Sequence, residues 1–96
     1  MSETTQRYAA ALFGAAGHDA KAVRAAAEAL MADQPLWTAL QSRAVTLTEK
    51  KQLIRDAAEL DGQEALKTFL GLAAEADALG ELPAILAEYS RLALAA

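Results

Sequence analysis

Twenty-six of the 96 residues are alanine, and only four are valine or isoleucine. Strands draw on β-branched and aromatic side chains to cover a pleated surface, and four such aliphatics are too few for an ordinary sheet. Alanine and leucine stand among the best helix formers, and only five glycines and two prolines interrupt them. The expected class is therefore all-α. At this length the chain has room for one core, so residues 1–96 are expected to form a single domain, a compact bundle of six helices. There is no cysteine, which rules out a disulfide scaffold and any cysteine–zinc site.

Nine basic residues stand against thirteen acidic ones, a net charge of −4. A nucleic-acid module ordinarily presents a basic face, so this balance disfavours one. No apolar run reaches the roughly 18 residues of a membrane-spanning helix, so direct membrane insertion is not expected. The opening Met1-Ser2-Glu3-Thr4-Thr5-Gln6-Arg7 lacks the basic-then-apolar order of a secretory signal. A cytosolic, acidic, helical domain fits these features.

Start and stop signals divide the chain. The first helix follows the polar cluster Ser2–Thr5 and runs to about Gly17, a residue suited to the position just past a helix end. Asp19 is the expected N-cap of the second, which ends near Asp33. Pro35 opens a short third helix over Leu36–Ser42. Thr46-Leu47-Thr48-Glu49 matches the capping box, so the fourth helix is expected from Leu47 to about Asp61. Gly62 separates it from a fifth, Gln63 to about Leu79. Gly80 and Pro83 bracket the last break, and the sixth helix runs from there almost to Ala96.

Helices two, four and six each show one apolar stripe at i, i+3, i+4, i+7 spacing, which a single core absorbs. In helix two the stripe is Val23, Ala26, Ala27, Leu30 and Met31. In helix four it is Leu53, Ile54, Ala57 and Leu60, and in helix six Leu82, Ile85, Leu86, Tyr89 and Leu92. Helices one and five carry more. Tyr8, Leu12 and Ala15 make one line and Ala9, Phe13 and Ala16 another. Leu66, Leu70 and Ala73 make a line beside Phe69, Leu72, Ala76 and Leu79. Such helices are either central or have a second face that awaits a partner. Two readings stay open at this point: all of that surface is internal, or the two helices flank an exposed groove for an amphipathic helix of another protein.

Catalytic signatures are missing. There is no phosphate-binding Gly-x-x-x-x-Gly-Lys-Ser/Thr and no Gly-x-Gly-x-x-Gly. His18, the single histidine, sits in Gly17-His18-Asp19, which reads as an interhelical turn and not as a metal or general-base site. Lys50, Lys51 and Arg55 are interleaved with Glu49, Asp56 and Glu59, a mixed helix surface. Trp37 and Leu40 read as a hydrophobic lid. No enzyme, cofactor or metal is expected.

The order of residues resembles a known family. Arg7-Tyr8-Ala9-Ala10-Ala11-Leu12-Phe13 is similar to the opening helix of the delta subunit of F-type ATP synthase, called the oligomycin-sensitivity-conferring protein in mitochondria. The similarity continues through Asp33-Gln34-Pro35-Leu36, Leu40-Gln41-Ser42, Glu49-Lys50-Lys51 and Thr68-Phe69-Leu70-Gly71-Leu72, then Leu79, Leu82-Pro83, Ile85 and Tyr89. Each motif alone is weak, but they keep the family's order and spacing across essentially the whole chain.

The resemblance implies a six-helix N-terminal domain on top of the catalytic head, whose first and fifth helices take the N-terminal helix of an alpha subunit. The function so implied is mechanical: a static joint between head and peripheral stalk that keeps the head from turning with the rotor, on the cytoplasmic face of the inner membrane. Carried over residue by residue, the partner-binding candidates are Tyr8, Ala11, Leu12, Ala15, Phe69, Leu72 and Ala76. Aspartate at Phe69 or Leu72 is expected to abolish peptide binding while the domain stays helical. The alternative is a stand-alone module that self-associates through the same surface. Where the family usually has Gly-Arg-Leu after helix five, this chain has Asp77-Ala78-Leu79, so no role of that arginine carries over. Family members also continue into a C-terminal domain that engages the stalk; contacts with peripheral-stalk subunits are expected only where such a domain exists.

Overall fold

The computed structural model describes residues 3–16 and 20–95. Among them, six α-helices follow one another without a strand: α1 (Glu3–Ala16), α2 (Ala20–Ala32), α3 (Gln34–Gln41), α4 (Leu47–Asp56), α5 (Glu64–Glu75) and α6 (Leu82–Ala95). The expected Gly17-His18-Asp19 turn and the Asp19 cap lie outside the described residues.

The starts follow their side chains. Asp33 caps α3 by accepting a hydrogen bond from the Leu36 N–H at 3.4 Å. The helix therefore begins at Gln34, ahead of Pro35, which sits in its first turn. Thr46 and Glu49 form a complete capping box at α4: the Glu49 N–H donates to Thr46 Oγ1 and the Thr46 N–H to Glu49 Oε1, both at 3.2 Å.

Two ends differ from expectation. The fourth helix stops at Asp56, not Asp61, because Ala57 turns to extended backbone and Ala58–Leu60 forms a separate 3-10 turn. Ala57 and Leu60 are nevertheless buried, 6% and 0% exposed. The apolar phase continues although the helix does not. Asp61 (φ −57°, ψ 129°) and Gly62 (φ 80°) then make a type II turn, closed by the Gln63 N–H on the Leu60 carbonyl at 2.9 Å; its third position favours glycine.

The fifth helix stops at Glu75, not near Leu79, and a 3-10 turn over Leu79–Glu81 leads straight into α6, which starts at Leu82, one residue before Pro83. The stop is a Schellman motif. The Ala78 N–H reaches the Ala73 carbonyl at 2.8 Å and the Asp77 N–H the Ala74 carbonyl at 3.1 Å. This puts Asp77 at φ 56°, the left-handed region where glycine is usual. Relief of that strain outweighs the added freedom of the unfolded chain, so Asp77→Gly is expected to stabilise the domain by about 0.5–1 kcal/mol. Thermal melting should show a rise of a few degrees.

Packing assigns the stripes. α1 lies most extensively along α6, α5 packs against both α4 and α1, and α2 leans on the 58–60 turn, α3 and α6. Val23, Ala26, Ala27 and Leu30 of α2 and Leu82, Ile85, Leu86 and Tyr89 of α6 are buried, as their spacing predicts. Trp37 is half-buried and Leu40 1% exposed, both packed on the core.

One carboxylate is sealed among them. Glu88 is 6% exposed. Arg91, one turn on, donates Nε to both its oxygens at 3.0 and 3.1 Å and Nη2 to Oε1. That forked bond holds the Glu88 carboxyl below its ordinary value of 4.5. A folded value below the unfolded one stabilises the fold at neutral pH, and the stabilisation is lost as pH falls through the carboxylate range. Arg91→Ala is expected to lower the melting temperature at pH 7, with the gap to wild type closing as melts are repeated below pH 4.5.

Candidate protein-interaction site on helices one and five

The surplus apolar surface of α1 and α5 divides in two. At about 100° per residue, Thr5, Ala9 and Leu12 share one side of α1, and all three are buried. Leu66, Leu70 and Ala73 do the same in α5. Phe13, on one flank of the α1 core face, meets Tyr89 of α6 with ring centroids 6.4 Å apart. Thr4, Tyr8, Ala11 and Ala15 line the other flank, toward α5. In α5 the corresponding flank is Ala65, Phe69, Leu72 and Ala76.

These two flanks meet at Tyr8 and Phe69, whose rings stand edge to face, 81° apart in plane and 6.0 Å between centroids. Such a pair adds roughly 0.5–1.5 kcal/mol beyond area burial and fixes the spacing of the two helices. Above it the surface stays open. Leu72 is 56% exposed, and Ala11, Ala15 and Ala76 are exposed as well. A recess of about 350 Å³ lined by Thr4, Arg7, Tyr8 and Ala11 runs along α1. Few large apolar side chains lie so open: among the described residues the others are Leu47, 41% exposed, and Leu94, 89%.

The seven candidates therefore occupy three depths. Leu12 and Phe69, 0% and 4% exposed, form the floor and belong to the core. Tyr8 is half-buried, with one edge in the floor. Ala11, Ala15, Leu72 and Ala76 stand at the mouth. Periodicity alone missed Thr4 and Arg7, which line the same recess; their i, i+3, i+4 and i+7 spacing with Tyr8 and Ala11 is the signal that places them there. Small side chains along both rims let another helix approach toward the short end of the roughly 8–10 Å interaxial range.

Charge is sorted on α4, where the sequence reads as mixed. Lys51 pairs with Glu75 at 3.1 Å. With Arg55 and Lys67 it lines a cleft of about 320 Å³ against α5, in which Lys67 Nζ donates to the Arg55 carbonyl at 3.1 Å. Among the described residues no cluster of three His, Cys, Asp or Glu is placed to hold a metal ion, and no helix is long and apolar enough to cross a membrane. Among the described residues no buried side-chain nitrogen or oxygen lacks a hydrogen-bond partner.

No curated protein and no solved structure matches the chain significantly. The family model described as the ATP synthase delta (OSCP) subunit matches residues 4–96, which spans all six helices. On that match the chain belongs to the ATP synthase delta (OSCP) subunit family.

Proposed function

We propose that the chain receives the N-terminal helix of an ATP synthase alpha subunit in the trough between α1 and α5, and so helps join the catalytic head to the peripheral stalk. Family membership supplies the coarse role, a structural stator subunit of the membrane-associated ATP synthase. The observation that carries the finer reading is Leu72, a leucine 56% exposed one turn beyond Phe69, the residue that meets Tyr8, at the edge where α5 also lines the cleft toward α4.

A static joint asks for affinity without chemistry. An amphipathic helix laid along the trough would bury its own apolar stripe on Leu72, Ala76, Ala11, Ala15 and the edge of Tyr8, with Leu12 and Phe69 as the rigid floor. About 14 helical residues cover about 21 Å, enough to follow either helix along its length. Specific interfaces bury about 1,200–2,000 Å² in total, and a few anchors in the centre carry most of the energy. The complex sits at the cytoplasmic face of the inner membrane in this reading, and contacts with stalk subunits fall to a further domain.

Titration calorimetry with a synthetic alpha N-terminal peptide tests the reading: one-to-one binding is expected, and no heat at peptide concentrations of about 1 mM, a Kd that corresponds to only about −4 kcal/mol, would overturn it. Sedimentation separates this from self-association through the same surface, because a trough kept for a foreign helix leaves the domain monomeric at micromolar concentration.

A further inference from the structure

On the side of α4 away from the trough, α3 and α4 enclose an open recess of about 480 Å³. Its floor is apolar: Leu36, Ala39 and Leu53 are half-buried there. Its rim is acidic, with Asp33, Asp56 and Glu59, and no lysine or arginine lines it. The ion pairs on the described residues, Arg24–Glu28, Lys51–Glu75 and Glu88–Arg91, all lie elsewhere. α4 thus sets Lys51, paired with Glu75, and Arg55 in the cleft toward α5, and Asp56, which accepts a hydrogen bond from Gln52 Nε2 at 2.8 Å, in the recess toward α3.

We infer that this face is a second docking surface, independent of the trough, for a cationic amphipathic helix of another protein. Charge selects the occupant. Three uncompensated carboxylates around apolar side chains repel a phosphate backbone and an anionic lipid surface. They favour a segment that sets leucine-type residues on the floor and lysine or arginine against the rim. A second copy of this chain is a poor occupant. It carries a net charge of −4, so two copies repel one another, and Lys51 of its α4–α5 cleft is already paired with Glu75.

The test uses two synthetic peptides of about 14 residues, enough for a helix of about 21 Å. One has leucine at i, i+3, i+4 and i+7 with lysine elsewhere; the other replaces every lysine by glutamate. In amide NMR of the intact chain the lysine peptide is expected to move Leu36, Ala39, Leu53 and Ala58 and to leave Ala11 and Leu72 in place. Its affinity should fall as the screening length shrinks from about 30 Å at 0.01 M salt to about 8 Å at 0.15 M. The triple variant Asp33→Asn, Asp56→Asn, Glu59→Gln keeps the α3 cap and the Gln52–Asp56 hydrogen bond possible and should bind about tenfold more weakly. Leu72→Asp should bind as wild type does. Equal binding of the glutamate peptide, an unaffected triple variant, or shifts centred on Tyr8 and Leu72 would each overturn the inference. So would a low-salt dimer of the wild-type chain that the triple variant abolishes, because the face would then belong to a second copy.

Discussion

Leu72→Asp is expected to reduce affinity for the alpha N-terminal peptide by at least about thirtyfold, the cost of losing a central anchor of roughly 2 kcal/mol. The loss has two sources. An apolar contact disappears, and docking would strip water from the new carboxylate. Stability should hardly change. Leu72 is 56% exposed, so the fold gains little from it, and aspartate in a solvated helix position costs within about 1 kcal/mol. Circular dichroism and a thermal melt close to wild type, beside a calorimetric titration that shows little or no heat, is the expected pattern. Wild-type affinity in the variant would remove Leu72 from the site.

Phe69→Asp is expected to do the opposite, and here the structure corrects the reading of the sequence. At the sequence level the two aspartates are equivalent disruptions of a surface line. With Phe69 4% exposed and its ring against Tyr8, the substitution removes a core aromatic, about 3–5 kcal/mol for truncation alone. It also leaves a carboxylate in an apolar floor. Against a total stability of about 5–15 kcal/mol this is enough to unfold much of the population. Far-UV circular dichroism should report lost helix at 25 °C, so peptide binding by this variant says nothing about the trough. A melt within a few degrees of wild type would show that α1 and α5 part more readily than their packing implies.

The pair shows where one-dimensional pattern stops. Period-3.6 spacing identified the helices and the core stripes of α2 and α6 because only one face of each is apolar. On α5, Leu70 and Leu72 are chemically identical, and one is sealed while the other is open. What separates them is the position of α1 and α4 on either side, a tertiary fact with no local signature. On α1 the same ambiguity is deepened by alanine, which is at home inside or out.

Helix ends failed for a different reason. Ala57 and Leu60 keep the helical phase of burial across a backbone that has already turned, so periodicity reports which side chains are inside and not the path between them. At Asp77 the usual glycine marker is missing. In Asp77-Ala78-Leu79 the chain makes its left-handed stop with an aspartate, a residue that tolerates that conformation better than most. The capping box at Thr46 was legible because its hydrogen bonds close within three residues; the Asp33 cap is equally local, but the residue reads from the sequence only as the end of the second helix.

Alanine rims have one more consequence. A methyl group has no rotamers, so nothing on Ala11, Ala15 or Ala76 must be frozen when a guest settles; side-chain ordering on burial costs about zero for alanine against up to about 2 kcal/mol for a long flexible residue. In the proposed complex these alanines therefore add little to the entropic cost of association. On the proposed reading the alanine stretches of the rims hold their final shape before contact, and stiffness under torque comes from the host's own packing.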